Sequence, residues 1–174
     1  MSAPAAPPRR IRPARPEDAD AASAVLAASY GTLFQGWYAP DLLEAVLPLM
    51  TRANPALLAC GTYRVAEDEA GRIVACGGWT AEAPGGAESP PETGHIRHVA
   101  THPDLLRRGA ARLIVETALA EARAVGKTRM ECLSTLPAEA FYARMGFAAV
   151  ERVLAPIGPG GFPSVRMVRD LGPP

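Results

Sequence analysis

A basic turn of small residues is the segment of this sequence best suited to chemistry. It reads Leu106-Arg-Arg-Gly-Ala-Ala-Arg112 and joins a predicted strand to a predicted helix. A helix N-terminus offers unpaired N–H groups and the positive end of the helix dipole, and small side chains let phosphate oxygens reach them. Arginines oppose that dipole, so a bound anion would resolve the conflict. A tight turn with a solvated basic cluster is the alternative interpretation.

Composition and missing motifs exclude several other classes of protein. Neither GxxxxGK[ST] nor GxGxxG occurs among the 174 residues. Eighteen Lys and Arg balance 18 Asp and Glu, which argues against a nucleic-acid or membrane surface. The start of the chain has no apolar signal segment. Three cysteines without a CxxC motif argue against a disulfide scaffold or zinc finger, so we expect a cytoplasmic protein that uses no metal.

Hydrophobic periodicity predicts one α/β domain over residues 9–174, after an Ala/Pro-rich tail over 1–8 that we expect to be disordered. The predicted order is β-α-α-β-β-β-α-β-α-β-β. The strand–helix–strand unit over 94–134 requires a parallel strand pair, whereas the flanking hairpins are antiparallel. The sheet is therefore mixed and mostly antiparallel, with six to seven strands flanked by helices. Gly77-Gly78 predicts a bulge in the strand over 72–80.

Two motifs in this order resemble the GNAT superfamily of N-acetyltransferases. Thr101-His-Pro-Asp-Leu-Leu-Arg-Arg-Gly-Ala-Ala-Arg-Leu113 resembles its acyl-CoA-binding motif, [Q/R]-x-x-G-x-[G/A] after a strand ending in hydrophobic-x-Pro. Ala140-Phe-Tyr-Ala-Arg-Met-Gly-Phe147 is similar to its F-Y-x-x-x-G-F. Leu106 stands where the family has Gln or Arg, and Thr135 where it often has Asn. The resemblance implies a single GNAT-type domain whose central parallel strands splay apart.

The resemblance also implies acetyl-CoA as co-substrate, lying between the strands over 94–101 and 129–134. The pantetheine and thioester would follow the backbone of the first strand, where an N–H group would stabilise the oxyanion. The pyrophosphate would bind the basic turn. The cofactor-binding residues expected on this basis are Val99, Ala100, Thr101, Arg107, Arg108, Gly109, Ala110, Ala111, Arg112, Ser134, Thr135 and Phe141.

Tyr142 matches the general acid of the family. A phenol with an intrinsic pKa near ~10 stays protonated at neutral pH and can donate to a departing thiolate. The alternative role for Tyr142 is that of a packed aromatic ring beside Phe141 and Phe147.

His95 is the candidate general base, because several family members carry an acid or histidine at the matching strand position. A histidine titrates in the useful pH range. Strict alternation along the strand puts His95, Arg97 and Val99 on one face. His95 could instead be a polar strand-entry residue, and deprotonation relayed by water to Glu92 or Glu131 is a further alternative.

The leading functional hypothesis is transfer of an acetyl group from acetyl-CoA to a primary amine by direct attack. A non-catalytic acyl-CoA-binding sensor or partner-binding module is the alternative. The acceptor stays open between small-molecule amines, amino acids, peptide N-termini and protein lysines. Residues 17–60, 81–93 and 155–163 should set the choice. No nucleic-acid or membrane partner is expected, and a homodimer through the C-terminal strands is an expectation from resemblance.

Overall fold

A computed structural model describes residues 10–173, and over that range the chain forms seven strands and five α-helices. The strands are β1 (Arg10–Pro13), β2 (Tyr63–Glu67), β3 (Ile73–Thr80), β4 (Thr93–Thr101), β5 (Arg129–Thr135), β6 (Ala148–Ala155) and β7 (Phe162–Asp170). The helices are α1 (Ala19–Leu33), α2 (Pro40–Met50), α3 (Pro55–Ala59), α4 (Ala110–Ala124) and α5 (Glu139–Arg144). The tail predicted over 1–8 lies outside the described residues.

All seven strands belong to one sheet with the order β1-β2-β3-β4-β5-β7-β6. β4 and β5 are parallel, and every other neighbouring pair is antiparallel. The predicted mixed sheet with a central parallel pair is therefore confirmed. Within residues 10–173, no helix is both long enough and apolar enough to cross a lipid bilayer.

Helix α3 was not predicted, although its start carries a recognisable signal. Asn54 caps the helix by accepting a hydrogen bond from the Ala56 amide at 2.9 Å, and Pro55 occupies the first helical position. This Asn-Pro start is typical of helix N-termini. At only five residues, the helix is too short to show an apolar period.

The core divides between the two faces of the sheet. On one face α1 and α2 bury Leu26 and Val46 against the sheet. On the other face α4 and α5 cover a second cluster that includes Met130. Leu113 of α4 and Val125, which follows the helix, are apolar but 38% and 67% exposed, so neither belongs to the buried face. The residues that α4 buries are Ala110, Ile114, Val115, Ala118, Leu119 and Ala122.

The bulge predicted from Gly77-Gly78 exists, but its extra residue lies on β4. Cys76 pairs with Ala100, whereas Gly78 pairs with Arg97, so a single glycine opposes two β4 residues. A Cβ at Gly77 would lie 2.8 Å from Cγ2 of Val99. The absence of a side chain at Gly77 therefore makes room for the bulge.

We predict that Gly78→Ala destabilises the fold, because the added Cβ would lie 2.3 Å from the Thr62 carbonyl oxygen and 2.6 Å from Cα of Tyr63. These are backbone atoms that cannot rotate away. Overpacking of this kind typically costs about 1–3 kcal/mol. The matched control is Gly31→Ala in α1, where a Cβ meets nothing within 4 Å. Equal free energies of unfolding for the two variants in urea would contradict the prediction.

Candidate functional site

A gap opens in the middle of the sheet where β4 and β5 separate. The two strands pair only at Thr93↔Arg129, Gly94↔Met130 and His95↔Glu131. β4 then continues to Thr101 without a partner on its β5 side. Alternate N–H and C=O groups along this stretch therefore face the gap and need partners from elsewhere. The predicted splaying of the parallel pair is confirmed.

The gap forms part of a cleft of about 1120 Å³ that passes through the sheet. On one side it is lined by residues of α4 and α5, including Leu119 and Phe141. On the other side it is lined by Tyr30 of α1 and by Phe34, which follows that helix. This volume slightly exceeds the range of roughly 300–1,000 Å³ found for small-molecule sites. Its size and its two mouths suit an extended ligand that reacts with a second molecule.

A buried tyrosine holds the β4 bulge in place. The Tyr63 hydroxyl donates a hydrogen bond to the His98 carbonyl at 3.0 Å. Burial raises the pKa of Tyr63 well above 10, so the phenol keeps its proton. His98 has a φ of +45°, which is uncommon for a residue with a side chain. Burial also lowers the pKa of the His98 imidazole to about 4, so it is neutral at pH 7.

The bulge reverses the facing of the residues that follow it. Ile96 packs in the cluster beneath α4, so its neighbour His95 points to the opposite face. Val99 also packs toward α4, against Ile114. The expectation that His95 and Val99 share a face is therefore wrong, because the extra residue breaks strict alternation.

The N-terminus of α4 opens onto the cleft. Gly109 caps the helix with a φ of +82°, and a Cβ there would meet nothing within 4 Å. The first three helical amides, Ala110 to Arg112, have no partner within the helix. Arg107 also lies in the left-handed region, with a φ of +62°. The turn thus presents backbone donors in an open space, as anion binding requires.

The cleft is strongly cationic. Its lining contains Arg107, Arg112, Arg123, Arg144 and Arg169. Glu116 is the acidic residue of the lining, and it pairs with Arg112 at 2.7 Å. Such a surface attracts a polyanion.

Arg112, Glu116 and Arg123 form an outward stripe along α4, and this stripe lines the cleft. The contributions of Arg144 and Arg169 were missed, because they come from α5 and β7 and meet α4 only in the folded chain. No local sequence signal marks that meeting.

Thr101 is an orphaned polar group at the cleft. Its residue is 6% exposed, and its hydroxyl has no hydrogen-bond partner among residues 10–173. A buried polar group without a partner costs about 1–3 kcal/mol. A ligand that forms a hydrogen bond with this hydroxyl would recover that free energy. The amide groups of an acyl-CoA could form such a bond, so this ligand fits the lining.

Tyr142 lies in the cleft wall between two aromatic rings. Phe141 and Phe147 meet its ring edge-on, at centroid distances of 5.1 Å and 5.5 Å. The side chain is buried, and burial raises its pKa well above 10. The phenol therefore holds its proton across the physiological pH range.

The structure brings most of the residues expected from the sequence to this cleft. Those that line it are Val99, Ala100, Thr101, Arg107, Gly109, Ala110, Ala111, Arg112, Thr135, Phe141 and Tyr142. Three others do not line it: Arg108, Ser134 and His95. The Ser134 hydroxyl donates to the Thr135 carbonyl at 2.9 Å, and Nε2 of His95 lies 2.8 Å from the Ser89 hydroxyl. In residues 10–173, no three His, Cys, Asp or Glu side chains could hold a metal ion together.

Comparison with known proteins identifies the class. The family model described as "Acetyltransferase (GNAT) family" matches residues 30–147. No curated protein matches the sequence. Because the family model spans more than half of the chain, this protein belongs to the GNAT acetyltransferase family.

Solved structures share the fold across nearly the whole chain. A GCN5-related N-acetyltransferase from Rhodopseudomonas palustris has a TM-score of 0.76 at 21% identity, covering 98% of this chain and 99% of its own. PaiA N-acetyltransferase from Thermoplasma acidophilum, solved with coenzyme A, has a TM-score of 0.70 at 12% identity, with coverages of 92% and 98%. YhbS of Escherichia coli, a GNAT family N-acetyltransferase solved with CoA, has a TM-score of 0.62 at 21% identity, with coverages of 99% and 86%.

We predict that Gly109→Glu weakens CoA binding at least about tenfold, because a carboxylate would enter the space before the α4 amides and repel phosphate. Gly109→Asn is the matched control. It places an uncharged side chain at the same positive φ, which asparagine tolerates. Calorimetric titration with CoA measures both variants. Equal affinities for folded Glu and Asn variants would remove the turn from the phosphate site.

Proposed function

We propose that this protein is an N-acetyltransferase that uses acetyl-CoA to acetylate a primary amine. Membership of the GNAT acetyltransferase family supports acyl transfer. One observation carries the more specific proposal. A single continuous cleft joins the α4 N-terminus, the unpaired backbone of β4 and the Tyr142 ring. These are the groups needed to bind a phosphate-bearing thioester, to polarise its carbonyl and to protonate its leaving sulfur.

Acetyl-CoA would extend along the cleft from the basic turn to the sheet. The amides of Ala110 to Arg112 and the arginine side chains would hold the pyrophosphate. The free backbone groups of β4 would bind the pantetheine as a neighbouring strand would, and a β4 N–H would stabilise negative charge on the thioester oxygen. PaiA and YhbS, which share the fold, were both solved with coenzyme A, and this supports CoA as the ligand of the cleft.

Tyr142 would act as the general acid. Attack by the neutral amine forms the N–C bond, and collapse of the tetrahedral intermediate breaks the C–S bond. The departing sulfur takes the phenolic proton, and the proton that the nitrogen loses on becoming an amide returns through solvent to the Tyr142 phenolate. A free thiol has a pKa of about 8.5, so a thiolate gains stability from a proton donor at neutral pH. The raised pKa of Tyr142 ensures that the donor is loaded at every working pH.

The amine must lose a proton before it can attack. Two groups that could take this proton lie where β4 and β5 diverge. His95 and Glu131 are register partners, and they lie on the face opposite α4. Burial lowers the pKa of His95, so its imidazole is neutral and able to accept a proton at pH 7. Because His95 does not line the cleft, it would act through water or through the acceptor. Glu131 forms an ion pair with Arg166 at 3.2 Å.

We predict that Tyr142→Phe lowers kcat at least about tenfold and leaves CoA affinity nearly unchanged, since only the hydroxyl is lost. An amine panel monitored by release of CoA thiol provides the substrate. The wild-type rate should show no alkaline limb from Tyr142 below pH 10, because the raised pKa keeps the phenol protonated there.

Phe147→Leu is the control, because Phe147 packs beside Tyr142 without lining the cleft, and the change removes no proton donor. Wild-type turnover in Tyr142→Phe would refute the acid role. A protein that binds CoA but releases no thiol with any amine would instead be the acyl-CoA-binding module weighed as the alternative.

A further inference from the structure

Arg97 lies on β4, on the face of the sheet opposite α4. It stands two residues before Val99, the first β4 residue that lines the cleft. It pairs with Gly78 across the β3–β4 ladder and shares the face of His95, opposite α4. Its Nη1 donates to the Thr80 hydroxyl at 3.0 Å. The side chain is half-buried, and this burial lowers the pKa of the guanidinium, although it stays charged at neutral pH.

Among the described residues Arg97 has no anionic partner, in contrast to three other partly buried arginines of the sheet. Arg169 of β7 also lacks one, but it lines the basic cleft and donates to the Met145 carbonyl. Arg12 binds both Asp18 and Glu67. Arg64 pairs with Glu121.

The third of these paired arginines, Arg166, binds Glu131 and Glu151. Among residues 10–173, no carboxylate forms an ion pair with Arg97, and the nearby Glu82 acts on it only at longer range. A half-buried cation without a counter-ion is costly unless a ligand completes it.

The position of Arg97 relative to the gap matches the size of a small molecule. Two strand residues span about 6–7 Å, so the backbone of Arg97 lies within that distance of the backbone of Val99 at the cleft, while their side chains face opposite sides of the sheet. The cleft reaches this face of the sheet, because Tyr30 of α1 and the following Phe34 line it there. A molecule placed between Arg97 and the gap could therefore contact both at once.

The loop over 81–92 encloses this side of the sheet. Its Ser89 hydroxyl lies 2.8 Å from Nε2 of His95. At its other end, a Cβ on Gly85 would lie 3.4 Å from Cγ of Pro156 in the β6–β7 connection. The loop thus spans from β4 to the turn that precedes β7.

We propose that Arg97 binds a carboxylate of the acceptor, which makes the substrate a small primary amine that carries a carboxyl group, as an amino acid does. The inference rests on the N-acetyltransferase function proposed above. A guanidinium presents a planar fork of donors that matches a carboxylate in two parallel hydrogen bonds. With the carboxylate there, the amine points toward the gap, beside His95 and Glu131. The same arrangement disfavours amines without an acidic group.

The test compares the binding of N-acetylated L-amino acids with that of their carboxamides. Calorimetric titration into the CoA-saturated protein avoids any difference in amine basicity between the two series. At least one N-acetyl amino acid should bind wild-type protein about tenfold or more tightly than its amide. Arg97→Gln should reduce that ratio to about threefold or less, while CoA affinity stays unchanged.

Two variants serve as controls. Arg97→Lys keeps the charge but loses the fork, so it should retain an intermediate preference. Arg152→Gln removes an exposed arginine on β6 and should keep the full preference. Equal binding of acids and amides to the wild-type protein, or a preference that survives Arg97→Gln, overturns the assignment.

Failure of this inference can be told apart from failure of the proposed function. If acetyl-CoA is consumed only with amines that lack a carboxylate, such as polyamines, the enzyme stands and the carboxylate site is wrong. If no amine of either kind releases CoA thiol and no acetylated product binds, both are wrong.

Discussion

The separation of β4 from β5 is the constraint on which the rest of the site depends. A parallel pair buried at the centre of a sheet would normally continue its hydrogen bonds to the ends of both strands. Here the pairing stops at His95, and the unpaired backbone of β4 becomes a binding surface. The two strands would otherwise tend to close this gap. The bulge at His98 and Val99 bends β4 and so keeps the gap open.

Three residues accommodate or hold the β4 bulge: Gly77, Gly78 and Tyr63. Gly77 leaves the space that Val99 occupies, and Gly78 lets the backbone of Thr62 approach β3 closely. Tyr63 reaches across to the His98 carbonyl, and burial keeps its proton in place. The glycine pair and the tyrosine therefore act on the site without lining it. They affect the chemistry of the site by setting the direction of the β4 backbone.

The local parts of the site could be predicted from the sequence, whereas their meeting could not. The turn at Gly109 and the ring of Tyr142 were predicted because each lies in a short motif with its own backbone requirement. The facing of His95 relative to Val99 was missed, because alternation fails wherever a bulge adds a residue. The convergence of Arg123 with Arg169 depends on the packing of α4 and β7, for which a single sequence gives no spacing rule.

Amide hydrogen exchange with and without acetyl-CoA tests most directly whether the opened β4 backbone is the binding surface. If it is, binding slows exchange within 96–101 and at the first amides of α4, and leaves the edge strands β1 and β6 unchanged. Those two segments are distant in the strand order and serve as internal controls. Tight binding of acetyl-CoA without protection of 96–101 would contradict the assignment.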